Sequence, residues 1–497
     1  MSGRPSFFFK RWPWLLGGVV AAAGLATAGS WLHTRAACAA IRSLAVLPFA
    51  DSSAQKRPDW FSEGITEEVI DALTRVPGLR VTGRTSAFRV QSEPRDLSKI
   101  GAELGVAAVL EGSIRTDGDR LRLTVQMNRA ADGYRLWSGT LDRRLQDVFS
   151  AGEEMANAIA DRIQLGRPSP QAPRHQPPQQ ALNAYLEGRQ LFRRTNSGAR
   201  NQAVERFEEA TRIDPEFARA WAWLSIAQEY RVDYDLARSN EAMPGARDAA
   251  ERAVTLAPDS GVAHLALAVV KLQYDWDWAG AKQELDRAIQ LNPGSAFTMH
   301  WRAHWFETQG RLEEAIAEMQ RALALDPFSD LLLGDLATEY LAAGKPERAL
   351  EFAQKAADLN PDSAESRLRL MHALCRAGQR DRARQMAQEL KPGAVAPFQL
   401  ALLAADEGDP SAARDLLDQA EDLHDNQHLP AAIFAELAAS VKDWGELFDW
   451  LDGECEERSV QLPYARLNPE VPKSDPRFAA LLQKMNLPES AAPAPIK

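Results

Sequence analysis

The chain of 497 residues is poor in cysteine. Its three, Cys38, Cys375 and Cys455, include no C-x-x-C pair, which speaks against a zinc ribbon or a thioredoxin-like redox centre. So sparse and odd a set makes no disulfide framework, and only a single Cys375–Cys455 bridge stays open. Positive charge is also short. Lys and Arg number 58 against 69 Asp and Glu, a net charge of −11, which argues against the basic face that neutralises nucleic-acid phosphates. Glycine-rich phosphate loops are missing as well. The strand-like run SLAVLPF, Ser43 to Phe49, is followed by neither G-x-G-x-x-G nor G-K-[ST], although a strand, a loop and a helix open many nucleotide sites. Glu63, Glu67 and Glu68 crowd the next helix start instead, where negative charge suits the helix dipole and repels phosphate. Glu67 and Glu68, being adjacent, point to different sides of a helix and read as solvated surface charge rather than a catalytic pair. Ser62 and Ser86 lack a nucleophile-elbow context. No catalytic residue, cofactor site or metal ligand is expected.

Charge is absent altogether from Trp14 to Leu32. As a helix this run spans roughly 28 Å, close to a bilayer's apolar thickness. Trp12, Trp14 and Trp31 flank it, and Arg4, Lys10 and Arg11 precede it. The positive-inside rule then gives a short cytoplasmic tail (1–13), a transmembrane helix (14–32) and a remainder outside the cytoplasm, although Arg35 and Arg42 weaken the bias. A cleaved signal peptide ending at Ala37-Cys38-Ala39, or a lipoprotein at Cys38, is the alternative. All three place the bulk of the chain on the same side, the periplasm in a bacterium.

What is present falls into two patterns. Residues 41–165 read as a small α/β domain, β-α-β-α-β-β-β-α. Ile65, Val69, Ile70, Leu73 and Val76 form one helical face. Asp117-Gly118 and Asp132-Gly133 mark hairpins, and Leu121, Leu123, Val125 and Met127 alternate with polar residues as in a half-buried strand. A Pro-rich linker follows at 166–180. From 181 to 485 the chain repeats: Pro293, Pro327 and Pro361 are 34 residues apart, as are Gly310, Gly344 and Gly378, and Ala315, Ala349 and Ala383. That period indicates tetratricopeptide repeats, an all-α solenoid of helix pairs. Alanines let helices cross closely, glycines end the first helix of a pair, and prolines stop the second. Extra residues are expected around Arg231–Asn240 and near Asp275–Trp278. Beyond Leu390 the pattern decays. SDPRFAALLQKMNLP reads as a helix capping the stack, and 486–497 as a disordered tail.

The concave groove of such a solenoid is the best candidate surface, suited to a peptide or a partner's helix. Counting from Pro327 places His300, His304, Glu307 and Thr308 inward. The same count gives Glu229 and Tyr230 in an earlier unit, Gln273 in the next, and His372 and Arg376 in a later one. His300 and His304 lie one turn apart and could face a metal. No acid follows His300 as H-E-x-x-H requires, so a groove-lining pair is the expectation and a metal-dependent hydrolase the enzymatic rival.

IRSLAVLPFADSS, FSEGITEEVIDALTRVPGLRVTGRTSAF, IGAELGVAAVLEGSIR and LTVQMNRAADGYRLWSGTLDR resemble the TolB amino-terminal-like domain, related to FlgO-type domains. Fused to tetratricopeptide repeats, that domain often forms the periplasmic part of membrane proteins whose cytoplasmic side carries a CadC-like winged helix, a nucleotide cyclase or a kinase. Only about eleven residues precede the membrane run here, so the output domain is expected on a separate polypeptide. The resemblance implies a non-enzymatic, inner-membrane scaffold or sensory module. Its partners would be a protein or peptide in the groove, the membrane and a separate cytoplasmic effector, with no nucleic acid.

Overall fold

A computed structural model of the protein describes residues 41–487, apart from 91–95, 169–174, 195–196, 235, 389–399, 402, 405–408, 410, 417–437, 440–441 and 469–470. The expected cytoplasmic tail, membrane helix and Cys38 lie outside these residues, as do residues 169–174 of the linker and Gly408, where the sequence suggests a turn. Among the described residues no helix is long and apolar enough to cross a membrane.

The α/β domain begins with β1 (Ser43–Val46), whose side chains are buried on both faces, as a central parallel strand requires. Pro48 has no N–H to give the ladder, and the strand breaks there. It resumes as β2 (Ala50–Asp51) beside the same neighbour. Helix α1 (Asp59–Leu73), β3 (Arg80–Val81), α2 (Arg84–Arg89) and α3 (Leu97–Leu104) follow. Next come β4 (Ala108–Asp117), β5 (Arg120–Arg129), β6 (Arg135–Arg144) and α4 (Val148–Arg162). The sheet order is β3-β1-β4-β5-β6. β1 runs parallel to β3 and β4, and the last three strands form an antiparallel meander. Against the expected order, the structure adds β2 and α2, and shortens the strand expected over Leu79–Arg84 to two residues. The alternation in β5 holds, and Gly118 and Gly133 take the left-handed φ of +59° and +68° that the hairpins need. Helices α1 and α4 cover one face. Ile100 and Leu104 of α3 cover the other, around Ala45, Leu47 and Val109.

The solenoid runs from α5 (Gln179–Phe192), so the last two residues of the expected linker are helical. Antiparallel pairs follow: α6 (Ser197–Ile213), α7 (Ala218–Asp233), α8 (Ser239–Leu256), α9 (Gly261–Val270), α10 (Trp278–Leu291), α11 (Ala296–Thr308), α12 (Leu312–Leu325), α13 (Asp330–Ala342), α14 (Pro346–Leu359), α15 (Ala364–Arg376) and α16 (Arg380–Gln388). Ala315, Ala349 and Ala383 are fully buried. Gly310, Gly344 and Gly378 end first helices at φ near +70°, where a side chain would be strained. The extra residue near Asp275 is absorbed as a π-turn over Lys271–Asp275, closed by Trp276 at φ +55°.

Two expectations fail in instructive ways. Glu67 and Glu68 are only 3% exposed each. They meet α5 and α7: Arg189 donates to Glu67 at 2.8 Å, Arg193 to the same oxygen at 2.8 Å, and Tyr185 to Glu68 at 3.0 Å. Arg84 also pairs with Glu67, and Arg219 with Glu68. Burial alone would raise the Glu67 carboxyl, but Arg193, Arg189 and Arg84 pull it down to about 2. These acids therefore fasten the α/β domain to the solenoid. The second failure concerns the C-terminal helix, α18 (Pro476–Lys484), which follows α17 (Trp444–Glu457). It does not cap the far end of the stack. It folds back to α10, where Trp278 donates to the Met485 carbonyl at 2.9 Å. Leu487, placed in the expected disordered tail, is buried there.

The α/β domain also lies along the turns between repeats. Gly294 donates to the Thr74 carbonyl at 3.0 Å and Gly83 to the Leu325 carbonyl at 2.7 Å. Ser86 N–H donates to Asp326 at 2.7 Å, and Arg89 reaches the Leu359 carbonyl at 2.5 Å. A methyl at Gly294 would sit 2.7 Å from the Thr74 carbonyl oxygen, so only glycine fits that approach. Cys375 is buried and Cys455 half-buried, and both carry thiols.

Candidate functional site

The returning C-terminal region enters the groove. Residues Leu462–Leu467 form a short 3-10 helix against α11. Tyr464 donates to the Gln273 side chain at 3.1 Å and packs edge-on to the His304 ring. Arg466, 2% exposed, donates to the Thr308 carbonyl at 2.8 Å. Gln461 donates to Asp233 at 2.5 Å. The segment thus covers part of the groove over a cavity of about 400 Å³.

Of the nine groove residues expected from repeat register, Tyr230, Gln273, His300, His304, Glu307, His372 and Arg376 line this cavity. Glu229 lies just behind it, 1% exposed and 3.4 Å from Gln273. Thr308 is fully buried, its hydroxyl donating to the Trp305 carbonyl at 2.9 Å. The structure thus brings most of these positions to one cavity-lining face, part of which the C-terminal segment covers where an extended peptide would lie.

The lining is acidic and aromatic. Asp233, Glu307, Asp335, Glu339, Glu365 and Glu454 stand against Arg369 and Arg376, among Tyr230, Tyr234, Trp301 and Tyr464. Burial and the neighbouring Glu365 and Asp335 push Asp233 up to about 6. Glu339 and Glu229 lie well above the usual carboxylate range, through burial and the nearby Glu307 and Asp233 respectively. No donor reaches either Glu339 oxygen among the described residues, and its carboxyl stands against that of Glu307. Asp335 behaves oppositely. Burial would raise it, but Arg369 at 2.6 Å, His300 and His304 hold it low.

The densest group is His300, His304 and Asp335. Their ligand-type atoms lie within 4.8 Å of one another. His300 Nε2 is 2.7 Å from Asp335 Oδ2 and 3.0 Å from His304 Nε2, and His304 Nδ1 is 2.6 Å from Glu307. Burial, then His304, lowers the His300 pKa. Burial would lower His304 too, but Glu307 overrides it and raises the ring to about 9.

Sequence reasoning missed Asp335, Glu339, Glu365, Arg369 and Tyr464. Asp335, Glu339 and Arg369 were within reach, since they sit on α13 and α15, the first helices of the next two repeats, one position beyond a strict 34-residue count from His300 and His304; Glu365 lies one turn before Arg369 on α15. Tyr464 was not, because it lies where the periodicity has decayed.

Comparison with known proteins gives three partial matches. Residues 39–161 match the HilA/YgeH-like transcriptional regulator, second domain. Residues 298–329 and 340–405 match tetratricopeptide repeats. A Rhizobium meliloti (strain 1021) protein named "Putative adenylate cyclase 3" is 34% identical over 188 residues, 37% of this chain and 32% of that one. The chain therefore spans about a third of that relative's length. Among solved structures, Pseudomonas aeruginosa pilF is 22% identical and covers 42% of this chain and 93% of its own, with a TM-score of 0.33. The human IFIT1 dimer with PPP-AAAA is 18% identical over 65% of this chain and 78% of its own, with a TM-score of 0.44. The chain carries tetratricopeptide repeats in a scaffold-like solenoid, together with a small α/β domain similar to the second domain of HilA-like regulators.

Proposed function

We propose that this chain is the sensory and scaffolding part of a signalling system, without a catalytic step of its own, and that its partly covered groove holds a small ligand. One observation carries the reading: the chain's own Leu462–Leu467 segment occupies the groove that a partner peptide would need and leaves a chamber lined by aromatic rings and carboxylates beneath it. The chamber size fits a small molecule, and its excess of carboxylates fits a cationic one. Signalling is supported by the likeness of residues 39–161 to a regulator domain and by the name of the Rhizobium relative. The reading keeps the expected single-pass anchor at 14–32, the periplasmic placement and the separate cytoplasmic effector. A C-terminal reporter active only in the cytoplasm would overturn that placement.

The ligand reading is tested on the purified full-length protein with two fractions of a host extract, a low-mass filtrate and the retained macromolecules. The expected result is a rise in melting temperature with the filtrate and slowed amide exchange over 462–467. If only the retained fraction acts, and exchange over that segment accelerates, a protein partner displaces the segment and the groove is a peptide site.

A further inference from the structure

We propose that His300, His304 and Asp335 form a binding site for a divalent transition-metal ion of the zinc class, inside the partly covered groove. This departs from the sequence expectation of no metal. It deepens the reading of the groove as a ligand chamber and rests on it.

The geometry is the first argument. His300 and His304 are four residues apart on α11 and share a face. Asp335 comes from α13, the corresponding helix of the next repeat. The atoms His300 Nε2, His304 Nε2 and Asp335 Oδ2 form a triangle with sides of 3.0, 2.7 and 4.0 Å. Ligands about 2.0–2.1 Å from a tetrahedral zinc ion stand about 3.3 Å apart. The observed sides bracket that value, so small side-chain rotations would complete one face of the tetrahedron. The fourth position would face the chamber.

The outer partners are the second argument. Glu307 accepts from His304 Nδ1 at 2.6 Å, which turns Nε2 toward the cluster, where a bound metal would take the place of its proton. Arg369 holds Asp335 Oδ1 at 2.6 Å and leaves Oδ2 to the cluster. A carboxylate behind a ligating imidazole is what orients and strengthens such a ligand. His300 has no such partner on Nδ1 among the described residues; its ring is held between Phe297 and Trp301.

The third argument is independent of the triad. Glu339 lies one turn beyond Asp335 on α13, lines the same chamber and is 1% exposed; no donor reaches its carboxyl oxygens among the described residues, and its polar neighbour is another acid, Glu307. A buried acid without a donor calls for a cation or a proton. Two imidazoles and a carboxylate suit zinc and its first-row neighbours rather than magnesium or calcium, which prefer oxygen. The rival occupant is a shared proton, which would let the same three groups bond to one another with no metal.

The test uses full-length protein purified without a histidine tag and stripped with a chelator. Zinc is titrated against a chromophoric competitor, and cobalt is added separately for its visible spectrum. One equivalent of zinc per chain and four- or five-coordinate cobalt bands are expected. His304→Gln and Asp335→Asn should each weaken zinc at least tenfold, and Glu307→Gln about 10–100-fold at unchanged stoichiometry. Far-UV circular dichroism checks that the variants fold, and the wild-type cobalt spectrum decides if they do not. Less than about a tenth of an equivalent, six-coordinate aqua-like cobalt, or a full equivalent retained in both ligand variants would each overturn the site. If zinc fails while the low-mass filtrate still stabilises the protein, the metal falls and the ligand chamber stands.

Discussion

Two buried clusters of acids lie in this chain, and they are built on opposite principles. At the junction of the α/β domain and the solenoid, Glu67 and Glu68 each meet guanidinium groups and hydrogen-bond donors. In the groove, Glu339 and one oxygen of Glu229 meet none among the described residues. The first cluster holds its carboxyl low, Glu67 at about 2, whereas the second pushes its carboxyls up. Complete pairing marks a fastening. Incomplete pairing leaves acids that hold their protons, because an ionised buried acid without a donor costs stability.

The largest effect should come from breaking the fastening. Glu67→Ala leaves the Arg84, Arg189 and Arg193 guanidinium groups without their shared carboxylate. Stability should fall by about 3–5 kcal/mol, read by denaturant unfolding, and the α/β domain should begin to melt separately. A smaller change of opposite sign is expected in the groove. In metal-free protein Glu339→Met should raise stability by about 1–3 kcal/mol at neutral pH. A lower melting midpoint instead would mean that Glu339 has a partner and the contrast is wrong.

The pH dependence sharpens the same comparison. Glu67, held near 2 against an ordinary 4.5, contributes fully above 4.5, and that contribution is lost as pH falls from 4.5 towards 2. Asp233, raised from 3.8 to about 6, favours the folded state only while protonated. Its contribution is full below 3.8 and is lost as pH rises through about 6. Glu67→Gln should therefore flatten the acid limb of a stability profile, and Asp233→Asn the decline between 3.8 and about 6. Identical profiles for the two variants would erase the distinction. The smallest effect is expected at the Arg122–Asp142 pair across β5 and β6, which water surrounds. Arg122→Ala should leave the unfolding midpoint unchanged, because exposed pairs are screened.

These clusters also show what could be read in the sequence. Local signals were legible: the alternation from Leu121 to Met127, the hairpin glycines, and the 34-residue recurrence that set helix pairs and the inward face. Contacts between distant parts of the chain were not. Glu67 finds Arg189 across 122 residues, and nothing in the helix pattern of Gly64 to Leu73 distinguishes an acid facing water from one facing an arginine yet to come. Asp335 reaches His300 across 35 residues, one repeat away, so register nearly reveals it. Tyr464 meets Gln273 across 191 residues, from a stretch with no repeat to count. The self-covered groove was therefore the least legible feature.

The bonds from the α/β domain to the turns at Gly294, Leu325, Asp326 and Leu359 have a mechanical meaning. Leu325 and Leu359 are 34 residues apart, so the domain grips consecutive repeats at equivalent places, as a splint lies along a spring. A solenoid so held cannot alter its pitch over those repeats unless these bonds shear together. Any strain raised inside the coil is thereby delivered to the end of α1 and to α2.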